Sequence, residues 1–129
     1  MEQAGTHTIL LVDDEREVRN VIAAMLREEG YRVLEAASGH EALAASDAHH
    51  GKIDLLLTDL IMPGMTGRML ADMLGARRPG IPVVFISGYV GDSPLVVAEQ
   101  GLYFVKKPIA EEVLLRTISE ALSGDPQDR

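Results

Sequence analysis

What most limits the folds open to this chain is a set of short apolar runs that each stop at polar residues. Residues 9–12 are wholly apolar and end at Asp13 and Asp14; 55–57 lead into Thr58 and Asp59; 83–86 end at Ser87. A strand with one solvated face alternates polar and apolar residues, whereas an unbroken run is buried on both faces, as in a parallel sheet under helices. The runs are too short to be helices that span a membrane.

Between the runs the period changes from strand to helix. Val18, Val21, Ile22, Met25 and Leu26 share a helical spacing that ends at Gly30. Residues 31–36 read as a second, more polar strand at an edge of the sheet. Ser38 and Glu41 form a capping-box pair that opens a second helix carrying Ala42, Leu43 and Ala45. Residues 53–59 read as the third strand, and Thr66 as the N-cap of a third helix reaching Arg78. A fourth strand spans 81–87, with Pro82 at its tolerated start. Ser93 and Pro94 suit the N-cap and first position of a short fourth helix ending near Gly101. A fifth strand follows over 102–106 and a fifth helix over 109–123, apolar at Ile109, Val113, Leu114, Ile118 and Leu122. The tail from Gly124 to Arg129 reads as frayed. Met65, Met69 and Met73 form a stripe expected to pack in the core, and His49 and His50 a surface pair.

Five strand–helix units with short connections predict an α/β fold. One five-stranded parallel sheet would carry helices on both faces, in a single domain over 1–129 with its core at about 8–122. Functional groups then belong at the carboxyl ends of the strands. Asp13, Asp14 and Glu15 fall there after the first strand, Asp59 after the third, Ser87 after the fourth, and Lys107 with Pro108 after the fifth. Each has an ordinary structural explanation: an acid before a helix caps it, a serine after a strand turns the chain, a lysine faces solvent. As a set at one sheet edge they point instead to anionic chemistry assisted by a hard cation.

The net charge of −8 argues against nonspecific nucleic-acid binding. Cysteine is absent, so thiolate chemistry and disulfides are excluded. Residues 1–7 form no apolar signal core, and the expected location is cytoplasmic, with no membrane contact by this domain.

With these residues in place, the chain resembles the receiver domains of bacterial response regulators, which include the chemotaxis regulators. The resemblance is carried by Ile9 to Glu15, by Leu57 to Gly67 around Asp59 and Met62-Pro63-Gly64, by Val83 to Gly88, and by Tyr103 to Pro108. It implies a flavodoxin-like sheet in the order 2-1-3-4-5. It also implies that Asp59 accepts a phosphoryl group from a sensor histidine kinase or a histidine phosphotransfer protein. Asp13, Asp14, Asp59 and the main-chain carbonyl of Ile61 would hold Mg²⁺, while Ser87 and Lys107 would bind phosphoryl oxygens. Ser87 and Phe104 would form the switch, read out on the face of the fourth helix, fifth strand and fifth helix. Lys107 is favoured over Lys106 by its place before Pro108, in a bond often cis in the family, and Tyr103 should face the other side of the sheet from Phe104. Ile61 and Tyr89 would flank the site and restrict water. The Ser87-Gly88-Tyr89 turn is similar to that of receivers joined to hybrid sensor kinases. Residues 102–104 lack the acidic residue that precedes the aromatic in receivers of winged-helix regulators, which puts their dimer in doubt.

Other classes fit less well. A hydrolase working through an aspartyl phosphate usually has a second acid two residues after the nucleophile, where Ile61 stands. A flavin carrier needs a hydroxyl- and glycine-rich phosphate loop where this chain has Asp13, Asp14 and Glu15. The alternative that keeps the fold is an interaction module independent of phosphorylation. The expectation is a switch that catalyses only its own phosphorylation and dephosphorylation, not an enzyme with an independent substrate.

Overall fold

In the computed structural model, residues 7–88 and 102–123 are described. Strand β1 (Thr8–Val12) leads to helix α1 (Arg16–Glu28), β2 (Arg32–Ala36) to α2 (Gly39–Ala48), and β3 (Leu55–Asp59) to α3 (Gly67–Arg77). Then come β4 (Val83–Ser87), β5 (Leu102–Lys106) and α4 (Glu111–Ser123). The strands form one sheet in the order β2-β1-β3-β4-β5, and each neighbouring pair is parallel. The expected fold and strand order are both present. The short helix expected over 94–101, Tyr89 and the tail after Ser123 lie outside the described residues.

The unbroken apolar runs divide by alternation. Ile9 and Leu11 of β1, Leu55 and Leu57 of β3, Val84 and Ile86 of β4 and Val105 of β5 pack with Ile22, Ala23 and Leu26 of α1 and Leu114, Ile118 and Ala121 of α4. Leu10, Val12, Leu56, Val83 and Phe85 face the opposite way, onto Ala42 and Leu43 of α2 and Leu70, Ala71 and Leu74 of α3. Each such leucine or valine removed from water contributes about 1.5–3 kcal/mol. β1, β3 and β4 are buried throughout, while β2, at an edge, is only partly covered.

The helix starts follow their caps. Ser38 Oγ accepts from the Glu41 N–H at 3.1 Å, and Glu41 Oε1 reaches back to the Ala37 N–H at 2.8 Å, one residue before the usual partner in a capping box. Thr66 Oγ1 accepts from the Met69 N–H at 3.1 Å.

Several expectations need correction. Met65 is buried, but Met69 and Met73 are 50% and 43% exposed. The buried stripe of α3 is Gly67, Leu70, Ala71 and Leu74, and each residue turns a helix by about 100°, which carries the two methionines off that stripe. Val21 and Val113 face solvent for the same reason. The third and fourth strands begin at Leu55 and Val83, two residues later than their apolar patterns suggest, because Ile53 and Ile81 lie in the approach to the sheet. The last helix starts at Glu111, past Pro108, with its first bond from Leu114 N–H to the Ala110 carbonyl at 2.9 Å.

Candidate functional site

The ladder bonds continue just beyond the carboxyl ends of the strands and fix the residues that follow. Asp13 N–H donates to Ala36 O at 3.2 Å, Leu60 N–H to Ile86 O at 2.8 Å, and Lys107 N–H to Ser87 O at 2.8 Å. Asp13, Asp59, Ser87 and Lys107 are therefore held by sheet backbone rather than by loose loops. The start of α3 adds a second support under Asp59. Gly67 N–H donates to Leu60 O at 2.8 Å, and a Cβ at Gly67 would run into the Asp59 carbonyl and come within 3.0 Å of Leu60 Cα. Glycine is what lets α3 begin this close to β3.

Oxygen atoms of Asp13, Asp14 and Asp59 lie within 4.8 Å of one another. Asp13 and Asp59 are buried, while Asp14 is exposed. Asp13 Oδ1 accepts the Glu15 N–H at 2.8 Å, but its buried Oδ2 has no hydrogen-bond partner among the described residues. Asp14 is not the helix cap; Glu15 holds that place and makes no side-chain cap bond. Lys107 Nζ donates to Asp59 Oδ2 at 3.2 Å, whereas Lys106 is exposed. The Lys107–Pro108 bond is cis.

The charges perturb one another. Burial pushes the Asp13 carboxyl above its ordinary range, and the Asp59 and Asp14 charges add to this; the Glu15 N–H and Lys107 act the other way. Burial lowers the Lys107 ammonium pKa, but Asp59, through charge and hydrogen bond, with Asp13 and Glu15 behind it, outweighs that and raises it.

A cavity of about 270 Å³ opens over these groups, lined by Asp14, Glu15, Asp59, Ile61, Ser87, Gly88 and Lys107. Ile61 is 68% exposed at its mouth, and Ser87 is buried. Phe104 stacks beside Phe85 with ring centroids 5.2 Å apart, on the α2–α3 side, while Tyr103 packs on the α1–α4 side, as the strand period requires.

A donor set of three carboxylates, one with an orphaned buried oxygen, fits a hard divalent cation. The same pocket has a cation from Lys107 beside Asp59, which suits an anionic group drawn between them. Two contributors escape a reading of the sequence. Arg19 Nη1 donates to the Asp13 carbonyl at 2.8 Å, and Gly67 gives α3 its close approach. Their signals are slight: an arginine four residues beyond Glu15, on the first turn of a helix, and a glycine directly after an N-cap threonine.

Comparison with known proteins places the chain in one family. The family model described as "Response regulator receiver domain" matches residues 9–119. The chain is 37% identical over 121 residues to the sensor kinase CckA of Brucella abortus (strain 2308), covering 92% of this chain and 13% of the kinase. It is 34% identical over 120 residues to protein PilH of Pseudomonas aeruginosa (strain ATCC 15692 / PAO1), covering 90% of this chain and 98% of that protein. The crystal structure of the receiver domain from the hybrid histidine kinase CckA superposes with a TM-score of 0.76 at 41% identity, covering 89% of this chain and 98% of that one. Parallel strand order, an acidic pocket at the strand ends and a family match over both lead to one conclusion: the chain belongs to the response regulator receiver domains, the phosphoacceptor modules of two-component systems.

Proposed function

We propose that Asp59 is the residue of this receiver that takes the phosphoryl group, within a single unit whose core spans about 8–122. Receiver domains of two-component systems receive phosphoryl groups from histidine kinases; for this chain the donor would be a phosphohistidine of a sensor kinase or of a histidine phosphotransfer protein in the cytoplasm. The observation that carries the assignment is the Asp59 carboxylate itself, buried, tied to Lys107 at 3.2 Å and clustered with Asp13 and Asp14.

An Asp59 oxygen attacks the phosphorus, the phosphorus–nitrogen bond breaks, and the imidazole leaves with the electron pair. Lys107 is placed to follow charge from the carboxylate to a phosphoryl oxygen as a point donor. Ser87, at the end of β4 and lining the cavity, donates to another. Asp13, Asp14, Asp59 and the Ile61 carbonyl would hold Mg²⁺. When bound, that ion screens the acids and neutralises charge developing on the phosphoryl oxygens. Phosphorylation adds charge and three acceptor oxygens at Asp59. Ser87 moving toward them leaves space that Phe104 fills by packing. The device resets itself and turns over no independent substrate.

The test is intact mass after incubation with acetyl phosphate, with and without Mg²⁺, for wild type and Asp59→Asn. A Mg²⁺-dependent gain of one phosphoryl group, absent in the variant, is expected. Equal labelling of the variant would sink the assignment. A folded wild type that takes no phosphoryl group from acetyl phosphate or from a phosphorylated histidine phosphotransfer protein would leave the interaction-module reading.

A further inference from the structure

The turn that carries Asp13 and Asp14 is held from helix α1. The β1–β3 ladder stops at the Val12–Thr58 pair, so the Asp13 carbonyl lies beyond the reach of that ladder. Arg19 Nη1 supplies the donor instead, at 2.8 Å. The same guanidinium donates from Nε to Glu35 Oε1 at 3.3 Å. Glu35 Oε2 in turn accepts from Arg27 Nη1 at 3.0 Å, and Arg27 Nη2 reaches the Val33 carbonyl at 3.1 Å. The Arg19 side chain is only 16% exposed, and two acceptors on different segments fix its planar fork.

The Asp13 carbonyl and the Asp14 Cα belong to one rigid peptide plane. Pinning the carbonyl therefore sets the direction in which Asp14 leaves the turn. That matters because the Asp14 side chain caps no helix and is exposed, so its direction rests on the backbone beneath it. Asp13 is fixed through its N–H, its Oδ1 and its carbonyl, which leaves Oδ2 as its one uncommitted polar atom.

We infer that Arg19 is a positioning residue for the cation site: it braces the Asp13–Asp14 peptide against Glu35 of β2 and so holds the two carboxylates in register for a divalent ion. This rests on the reading of Asp13, Asp14 and Asp59 as a metal site. Charge and geometry predict opposite signs for its removal. Taking a positive group away from a cation site favours the cation on Coulombic grounds. Losing the brace weakens it, as with other groups that orient metal ligands.

The experiment is Mg²⁺ binding by isothermal titration calorimetry, with Mn²⁺ binding by electron paramagnetic resonance as a second readout. The proteins are wild type, Asp14→Asn, Arg19→Met, Arg19→Lys and Arg16→Ala. Arg16 is an exposed neighbour on the same helix and isolates the charge effect. Arg19→Met keeps the stem but weakens binding about tenfold. Arg19→Lys, which keeps the charge and reaches one acceptor at a time, falls between Met and wild type and carries the comparison if the Met variant does not fold. Arg16→Ala binds as wild type or more tightly. Unchanged or tighter binding by both Arg19 variants overturns the proposal, as does an equal loss in Arg16→Ala. If wild type binds no divalent ion, or Asp14→Asn binds as well as wild type, the metal reading fails and this inference falls with it.

Discussion

Lys107 Nζ sits 3.2 Å from Asp59 Oδ2, joining the loop after β5 to the end of β3 across the intervening β4. Its ammonium pairs with the buried Asp59 carboxylate; burial opposes the charged form, and Asp59, Asp13 and Glu15 together outweigh that and raise its pKa. Lys107→Ala should leave a more negative pocket. Mg²⁺ binding should tighten a few-fold, while phosphoryl uptake from acetyl phosphate slows by about tenfold or more, because the charged donor proposed for the phosphoryl oxygens is gone. Calorimetry and the rate of mass gain measure the two. A variant that binds Mg²⁺ more weakly, or labels at the wild-type rate, contradicts this account.

Asp13 gives a pH-dependent prediction. Its folded-state pKa is raised above the ordinary 3.8, so the folded protein holds this proton more tightly than the unfolded chain. The contribution of Asp13 to stability is complete below that value and is lost as pH rises through the folded pKa. In Mg²⁺-free buffer Asp13→Asn, which keeps an oxygen for the Glu15 N–H, should therefore be more stable than wild type near pH 7 (about neutral), with the gap closing toward about pH 4. Adding Mg²⁺ should stabilise wild type more than the variant. Urea midpoints at both pH values decide it; a gap independent of pH would be contrary evidence.

Gly67 supports Asp59 from below. A methyl group there collides with the Asp59 carbonyl, so either α3 or Asp59 must move. Gly67→Ala should cost about 2 kcal/mol, in the range of other overpacked sites, and should slow phosphoryl uptake as well. Chemical denaturation and labelling rates measure each effect. Full stability with full labelling would show that the helix start can yield.

Arg78 tests the opposite edge of the sheet. Its guanidinium donates to Ser46 Oγ at 2.7 Å and to the carbonyls of Ser46, His49 and Gly51 at 2.9, 3.0 and 3.1 Å. It thus closes the end of α2, where carbonyls lack helical partners. Arg78→Ala should destabilise by about 2 kcal/mol, because the buried Ser46 hydroxyl loses a charged partner. Phosphorylation should continue at the wild-type rate below the melting transition. Thermal unfolding and mass spectrometry on one preparation check both parts.

Much of this was legible in the sequence for physical reasons. Unbroken apolar runs such as Ile9 to Val12 can be satisfied only between two helix layers, and the acids that end them must then meet at one edge. Met69, Met73 and Val21 misled because helical spacing tells which residues share a face, not which face the core takes. Arg19 escaped because the group it holds at the site is a main-chain carbonyl, which every residue carries, so no side-chain pattern announces that contact.

The alternation along β5 places two adjacent aromatics in different layers, Tyr103 with α1 and α4 and Phe104 with α2 and α3. The chain has no tryptophan, so a single one introduced at either position would be its only indole fluorophore. Phe104→Trp and Tyr103→Trp thus form a pair of optical probes separated by the thickness of one sheet. If Phe104 carries the switch, emission changes on phosphorylation for the first and stays flat for the second. The strand itself then reports which layer hears the signal.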